Sequence, residues 1–187
     1  NTKEAHCPAF PPDEIRATKR ELGLPPEERF YVPEGLMPTP VTAEPGKGEK
    51  TLPEIDFPVF AVGESLATRV SSGRILDLLH QELPSLIGGS ADLAGSTKTL
   101  SGQIRFGVRE HAMASFVLGA TAYGETIAYG ATYFAFYDYM KPAIRLAALM
   151  NLPTIYLFSH DSIGLGADGP THQPVEQLAS LRATPNM

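Results

Sequence analysis

Apolar positions fall into regular periods from about residue 65 onward, and those periods predict the main elements of the chain. Leu66, Val70, Ile75, Leu76, Leu78, Leu79 and Leu83 fit one face of an amphipathic helix, which Pro84 ends. Ser85-Leu86-Ile87-Gly88-Gly89 then reads as a short buried strand that runs into the loop Ser90-Ala91-Asp92-Leu93-Ala94-Gly95-Ser96. The alternation continues with a helix over 109–123, a strand over 126–131, a helix over 136–151 and an apolar strand over 154–159. A glycine-rich loop, Gly164-Leu165-Gly166-Ala167-Asp168-Gly169-Pro170, separates that strand from a last helix over about 174–182. Strands alternating with helices of this length predict an α/β fold, a mostly parallel open sheet with helices on both faces. Functional groups are then expected in loops beyond the C-terminal ends of the strands.

The first sixty residues have no such period. Pro8, Pro11-Pro12, Pro25-Pro26, Pro38, Pro40 and Pro45 favour extended or turning backbone, since proline fixes φ and has no N–H to donate. One island stands out near 12–22, where Asp13 can cap, the charges are spaced helically and Gly23 can terminate a short helix. The stretch Met37 to Pro53 contains no readable element. The expected organisation is a proline-rich extended interdomain linker over 1–60, with that short helix, followed by an α/β domain over 61–187.

Composition narrows the function classes. A chain of 187 residues that is 43% hydrophobic can bury one real core and still leave a tail. A formal net charge of −6 with no Lys/Arg run argues against a nucleic-acid surface, so any anionic ligand must be held by a few placed groups. The single cysteine, Cys7, rules out an intrachain disulfide and reads as an exposed tail thiol in an intracellular, cytoplasmic protein. No apolar run approaches the roughly eighteen residues of a membrane span, and Asn1-Thr2-Lys3-Glu4 does not read as a signal peptide, so no membrane partner is expected. Without an initiator Met, and stopping at Thr184-Pro185-Asn186-Met187 just after a helical pattern, the chain reads as a segment of a larger protein.

Three clusters fall where an open α/β sheet places ligands: Ser90 to Ser96, Gly107 to Glu110, and His160 to His172. Glu110 opens a long apolar helix, a position where a carboxylate is favoured by the helix N–H groups whether or not it does chemistry. His160, Asp161, Asp168 and His172 lie within thirteen residues, but they lack the i,i+4 pairing of a helical zinc site. They suit capped turns, or a polyhydroxylated or phosphorylated ligand approached closely by glycine backbone. No metal site is expected in this chain. In the aromatic stripe Tyr133, Phe134, Phe136, Tyr137 and Tyr139, at least two rings should be core, and one exposed at a strand end could stack on a flat heterocycle.

Four runs in order, Gly88-Gly89-Ser90-Ala91-Asp92-Leu93-Ala94, Phe106-Gly107-Val108-Arg109-Glu110, the helical Ala143 to Met150, and above all His160 to Gln177, closely resemble transketolase. Ala5 to Gly23 resembles the link that follows that family's N-terminal diphosphate-binding domain. The resemblance implies a linker plus the central pyrimidine-binding domain, without the N-terminal and C-terminal domains. The family's diphosphate motif, a Gly-Asp-Gly run with a later Asn, is absent, so Mg²⁺ or Ca²⁺ is expected to bind through the missing N-terminal domain. Two departures are that the stretches Tyr31 to Ser65 and Ser96 to Ile104 look shorter than in many members.

The resemblance also implies roles. Glu110 matches the catalytic glutamate that hydrogen-bonds N1′ of the thiamine diphosphate aminopyrimidine and favours the imino tautomer, whose nitrogen activates the thiazolium. Such a carboxylate should sit in a dry pocket. Phe136 matches the ring that stacks on the pyrimidine, with Tyr133 and Tyr139 beside it and Asp92 and Leu93 near the cofactor. For substrate, Arg69, Ser96 and His160 match groups at the sugar phosphate, Asp168 a group at a hydroxyl, and His172 one along the channel. The implied reaction is transfer of a two-carbon ketol unit from a ketose phosphate to an aldose phosphate, in a homodimer whose sites lie between subunits. This segment alone would hold the pyrimidine half of the site and be inactive. The rivals are dihydroxyacetone synthase, 1-deoxyxylulose-5-phosphate synthase, and a non-catalytic fragment that acts as a dimerisation module. The run His160-Asp161-Ser162-Ile163-Gly164 favours transketolase over the second of these.

Overall fold

The computed structural model describes residues 10–29, 31 and 52–187, so Cys7 and nearly all of the 37–53 stretch lie outside the described residues. The chain divides into two compact units, Asn1–Glu44 and Pro45–Met187. In the first, α1 (Pro12–Glu21) starts on proline, whose missing N–H would have had no helical partner. Asp13 and Glu14 in its first turn and Lys19 and Arg20 in its last match the helix dipole. Arg16 pairs with Asp13 one turn earlier.

The second unit begins its regular structure with α2 (Thr68–Glu82), β1 (Leu86–Ser90) and a one-turn helix, α3 (Ala94–Thr97). A two-residue strand, β2 (Ile104–Arg105), precedes α4 (Glu110–Tyr123) and β3 (Ile127–Tyr133). A 3-10 turn, Phe134–Phe136, leads into α5 (Tyr137–Leu149), followed by β4 (Ile155–Ser159) and α6 (Gln177–Arg182). The four strands form one sheet in the order β2-β1-β3-β4, and every pairing is parallel. This is the α/β class expected from the alternation of periods. Among the described residues no helix is long and apolar enough to cross a membrane.

Strand alternation explains why helices cover both faces. On one face, Leu86, Tyr129 and Leu157 meet Leu76 and Leu79 of α2 and Leu83 just after it, and Ile55 packs onto the same cluster. On the other, Tyr156 and Phe158 pack against Met113 and Ala114 of α4 and Tyr137, Met140 and Ile144 of α5. Gly130 lets α4 approach closely on that second face, since a Cβ there would lie 2.9 Å from Met113 Cγ. Met113 has no exposed surface. We expect Met113→Ala to cost about 2–5 kcal/mol, the range for emptying a buried side chain of this size. Denaturant unfolding that leaves the midpoint unchanged would contradict this account of the core.

The short β2 is supported by a side chain. Gln103, just before it, accepts from Gly88 N–H at 3.3 Å and donates to Leu86 C=O at 3.2 Å, so its amide extends the ladder along β1. The same amide nitrogen lies 3.0 Å from His80 Nδ1, whose ring is 2.9 Å from the Tyr129 hydroxyl through Nε2. An amide N–H can only donate, so Nδ1 accepts and Nε2–H donates to the tyrosine oxygen. Burial lowers the His80 pKa and pushes the Tyr129 phenol up to about 12, which keeps both groups neutral in this network.

Candidate functional site

All four strands deliver groups to one end of the sheet. β1 runs into Ala91-Asp92-Leu93, β2 into Phe106-Gly107, β3 into Tyr133 and the 3-10 turn, and β4 into His160. Between β2 and α4 the chain turns at Gly107, where φ is +66° and only glycine is unstrained. The turn closes with Arg109 N–H on Gly107 C=O at 2.8 Å and the Arg109 guanidinium on Phe106 C=O at 3.1 Å. Glu110 therefore becomes the first residue of α4, where the N–H ends favour a negative charge.

Glu110, Phe136, Tyr139, Asp92 and Leu93 line one cavity of about 490 Å³, completed by Ala91 and Val108. Glu110 is only 8% exposed, and its carboxylate has no hydrogen-bond partner among the described residues. Phe136 is half-buried, stands parallel to Tyr133 at 5.9 Å between ring centroids, and lies 6.2 Å from Tyr139. Tyr139 is 62% exposed, whereas Tyr133, Phe134 and Tyr137 are buried, so the stripe divides between core and cavity. Tyr133 does not line this cavity.

A second cavity, of about 430 Å³, contains Arg69 from α2, Thr97 from α3, and Ser159, His160 and Asp161 from the end of β4. Arg69 Nη1 lies 2.9 Å from His160 Nε2, and His160 Nδ1 lies 2.9 Å from Ser159 Oγ. The imidazole stacks on Tyr133 with centroids 3.7 Å apart. Burial first, then the Arg69 guanidinium, holds the His160 pKa below its ordinary value, although Asp168 and Asp161 pull it upward. Tyr133 thus stands between His160 of the second cavity and Phe136 of the first, with the imidazole on its ring and the phenyl ring parallel to it.

His172 sits edge-on to Phe136 at 5.2 Å and to Tyr133 at 5.9 Å. Its loop is tied back by the Gln173 amide, which donates to Leu165 C=O, while Asp168 is exposed on the same loop. Ser96 belongs to α3 but does not line the second cavity; its neighbour Thr97 does, with Oγ1 donating to Leu93 C=O at 2.9 Å. Thr97, Ser159 and Val108 were not singled out by sequence. Two residues at strand ends, Asp92 (φ +61°) and His160 (φ +53°), adopt left-handed backbone. Non-glycine residues hold that conformation when their surroundings over-determine it, as binding sites often do. Among the described residues, no group of three or more His, Cys, Asp or Glu side chains could hold a metal.

A flat ring one side of which faces Phe136, and which offers a nitrogen to the unpartnered Glu110 carboxylate, fits the first cavity. Phosphate oxygens fit the second, where Arg69 provides paired donors. Residues 64–187 match the family model "Transketolase, pyrimidine binding domain". The transketolase of Bacillus subtilis is 40% identical over 231 aligned residues, covering all of this chain and 35% of that protein. A crystal structure of transketolase from Campylobacter jejuni superimposes with a TM-score of 0.70 at 36% identity, over 94% of this chain and 33% of that one. A Pichia stipitis transketolase solved in complex with sedoheptulose-7-phosphate gives a TM-score of 0.65 at 44% identity, over 70% of this chain and 22% of that one. The chain thus spans about a third of the length of the curated relatives it matches from end to end. Its parallel α/β fold and the family match over 64–187 together establish that the chain belongs to the transketolase family, as its pyrimidine-binding domain.

Proposed function

We propose that this chain supplies the pyrimidine-binding half of a transketolase active site, in a polypeptide that moves a two-carbon ketol unit from a ketose phosphate to an aldose phosphate. The observation behind this reading is the buried, unpartnered Glu110 facing the cavity that Phe136 and Tyr139 share. Glu110 holds a proton at the ring nitrogen of the bound aminopyrimidine, Phe136 orients the ring by stacking, and Leu93 and Asp92 close the cavity around it. When bound, thiamine diphosphate supplies the electron sink for cleavage of the ketose carbon–carbon bond. Arg69 and His160 bind the sugar phosphate, Ser96 reaches it from α3 one residue before the cavity-lining Thr97, and Asp168 and His172 contact the sugar along its channel. The sugar-phosphate complex of the Pichia stipitis relative supports this substrate class. The Mg²⁺ or Ca²⁺ that accompanies the diphosphate is held by residues outside this chain.

A homodimer completes the site. α4 supports this, because Met113, Ala114 and Val117 face the core while its opposite side, though it carries the polar His111 and Ser115, still leaves Phe116 and Tyr123 37% and 49% exposed. Large aromatic rings on the solvent side of a core helix suit a covered surface. The same surface suits the rival reading of a fragment that only dimerises. Turnover decides between them, using the native polypeptide that carries this segment with xylulose 5-phosphate as donor and either ribose 5-phosphate or formaldehyde as acceptor. Cofactor-dependent transfer to ribose 5-phosphate is expected. Preference for formaldehyde would indicate dihydroxyacetone synthase, and no turnover with either acceptor would leave the dimerisation module. By calorimetry, thiamine diphosphate should bind the lone 187-residue segment only weakly; tight binding would contradict a half-site.

A further inference from the structure

We propose that the Arg69–His160 pair is a proton-coupled anion latch: an arriving dianionic phosphate draws the Arg69 guanidinium off the imidazole, and His160 then takes a proton from solvent. The inference rests on the proposed function, which seats the sugar phosphate at this pair.

The His160 ring is fixed from three sides. Nδ1 is 2.9 Å from Ser159 Oγ, Nε2 is 2.9 Å from Arg69 Nη1, and one face lies 3.7 Å from the Tyr133 ring at an interplanar angle of 23°. A guanidinium has donors and no acceptor, so Nε2 must offer its lone pair. The ring is therefore neutral, with its single proton on Nδ1 and donated to Ser159 Oγ. A second proton has no place while Arg69 occupies Nε2.

The groups facing His160 are the cation Arg69 from α2, the loop residues Asp161, Asp168 and His172, and the uncharged Ser159 and Tyr133 from the ends of β4 and β3. Burial acts first and Arg69 second to favour the neutral ring, His172 adds to them, and the two aspartates oppose. A bound dianion reverses the balance. It satisfies the guanidinium by charge-assisted hydrogen bonds, and it repels a bare Nε2 lone pair while attracting an Nε2–H donor. The left-handed backbone at His160 (φ +53°) keeps the imidazole at the cavity through the exchange.

The sign follows from linkage. The free-state pKa lies below the ordinary 6.5, and in the latch the bound dianion raises it above that value. Binding takes up a proton between those two values, so the association constant falls as pH rises through that window. The fall reaches about tenfold per pH unit for one full proton. Below the free-state pKa the ring is charged with or without anion, and the dependence levels off.

Sulfate is the probe, because it stays dianionic across the window and cannot donate a proton itself. Calorimetric titration of the native polypeptide that carries this segment, at pH 7 in two buffers of different ionisation enthalpy, reads the uptake directly. The apparent heats should differ by an amount equivalent to as much as one proton per site. In His160→Gln, whose amide oxygen can still accept from Arg69, sulfate should bind with no uptake. Equal heats in both buffers, uptake that persists in His160→Gln, or absence of sulfate binding overturns the latch. If such a polypeptide still transfers a ketol unit from xylulose 5-phosphate, only the latch has failed. Loss of both transfer and sulfate binding overturns the proposed function with it.

Discussion

Glu110→Gln, made in the native polypeptide that carries this segment, should lower kcat for ketol transfer by on the order of 10²–10⁴-fold, the usual contribution of a positioned proton-transfer group. The substitution is nearly isosteric, so it leaves the cavity beside Phe136 unchanged in volume and keeps α4 starting at the same residue. What it removes is a carboxyl group that can hold and release a proton at the pyrimidine nitrogen. Because no described residue hydrogen-bonds the Glu110 carboxylate, the fold loses at most its interaction with the α4 N-terminus, and stability should fall by no more than about 1 kcal/mol. The two readouts together separate chemistry from folding. Near-normal turnover with thiamine diphosphate saturating would sink the assignment. A large fall in melting temperature would mean that the carboxylate is structural.

Long elements were legible because their periods are. The apolar spacing in α2 and the stop at Pro84 gave the helix to within two residues, and Gly124, in left-handed conformation at φ +90°, ends α4 where its pattern ends. β2 was not legible, since Ile104–Arg105 is too short to show alternation and its place beside β1 is reinforced by the Gln103 amide, a tertiary contact. β3 runs two residues further than read, to Tyr133, because its last residues pair with Phe158 and Ser159 of β4. α5 begins one residue late and α6 three residues late, as turns at Phe134–Phe136 and Pro174–Glu176 take up positions whose composition reads as helix.

The site divides in the same way. Glu110, Asp92, Leu93, Phe136 and Tyr139 are far apart in sequence, yet they line one cavity because a parallel sheet brings its C-terminal strand ends together. Thr97 and Ser159 escaped notice because a lone hydroxyl in a strand or a one-turn helix has no period and no spacing. The left-handed backbone of His160 was equally invisible. Histidine adopts it when neighbours compel it, and those neighbours, Arg69 and Tyr133, are distant in sequence.

Gly89→Ala should be the most disruptive small substitution near the site, although it adds one methyl group. A Cβ built on Gly89 lies 1.8 Å from the Ile104 carbonyl oxygen and 2.8 Å from its carbon, both backbone atoms that cannot rotate away. β2 pairs with β1 at Gly89↔Ile104 and Ser90↔Arg105, so relief of the clash must push β2 away from β1 at that register. The next residues are Phe106, whose N–H donates to Ser90 C=O at 3.2 Å, and the Gly107 turn that sets Glu110. A loss of at least about 1–3 kcal/mol, the range for overpacking a well-filled interior, should therefore come with lost activity, because displacement of β2 displaces Glu110. Gly95→Ala in α3 is the matched control, since a Cβ there meets nothing within 4 Å. It should be neutral or stabilise by up to about 1 kcal/mol, as alanine is favoured over glycine in a helix. Denaturant unfolding and turnover measured side by side test the coupling. A Gly89→Ala protein that unfolds earlier yet turns over normally would show that Glu110 is held by α4 and the Arg109 contacts alone, independently of β2.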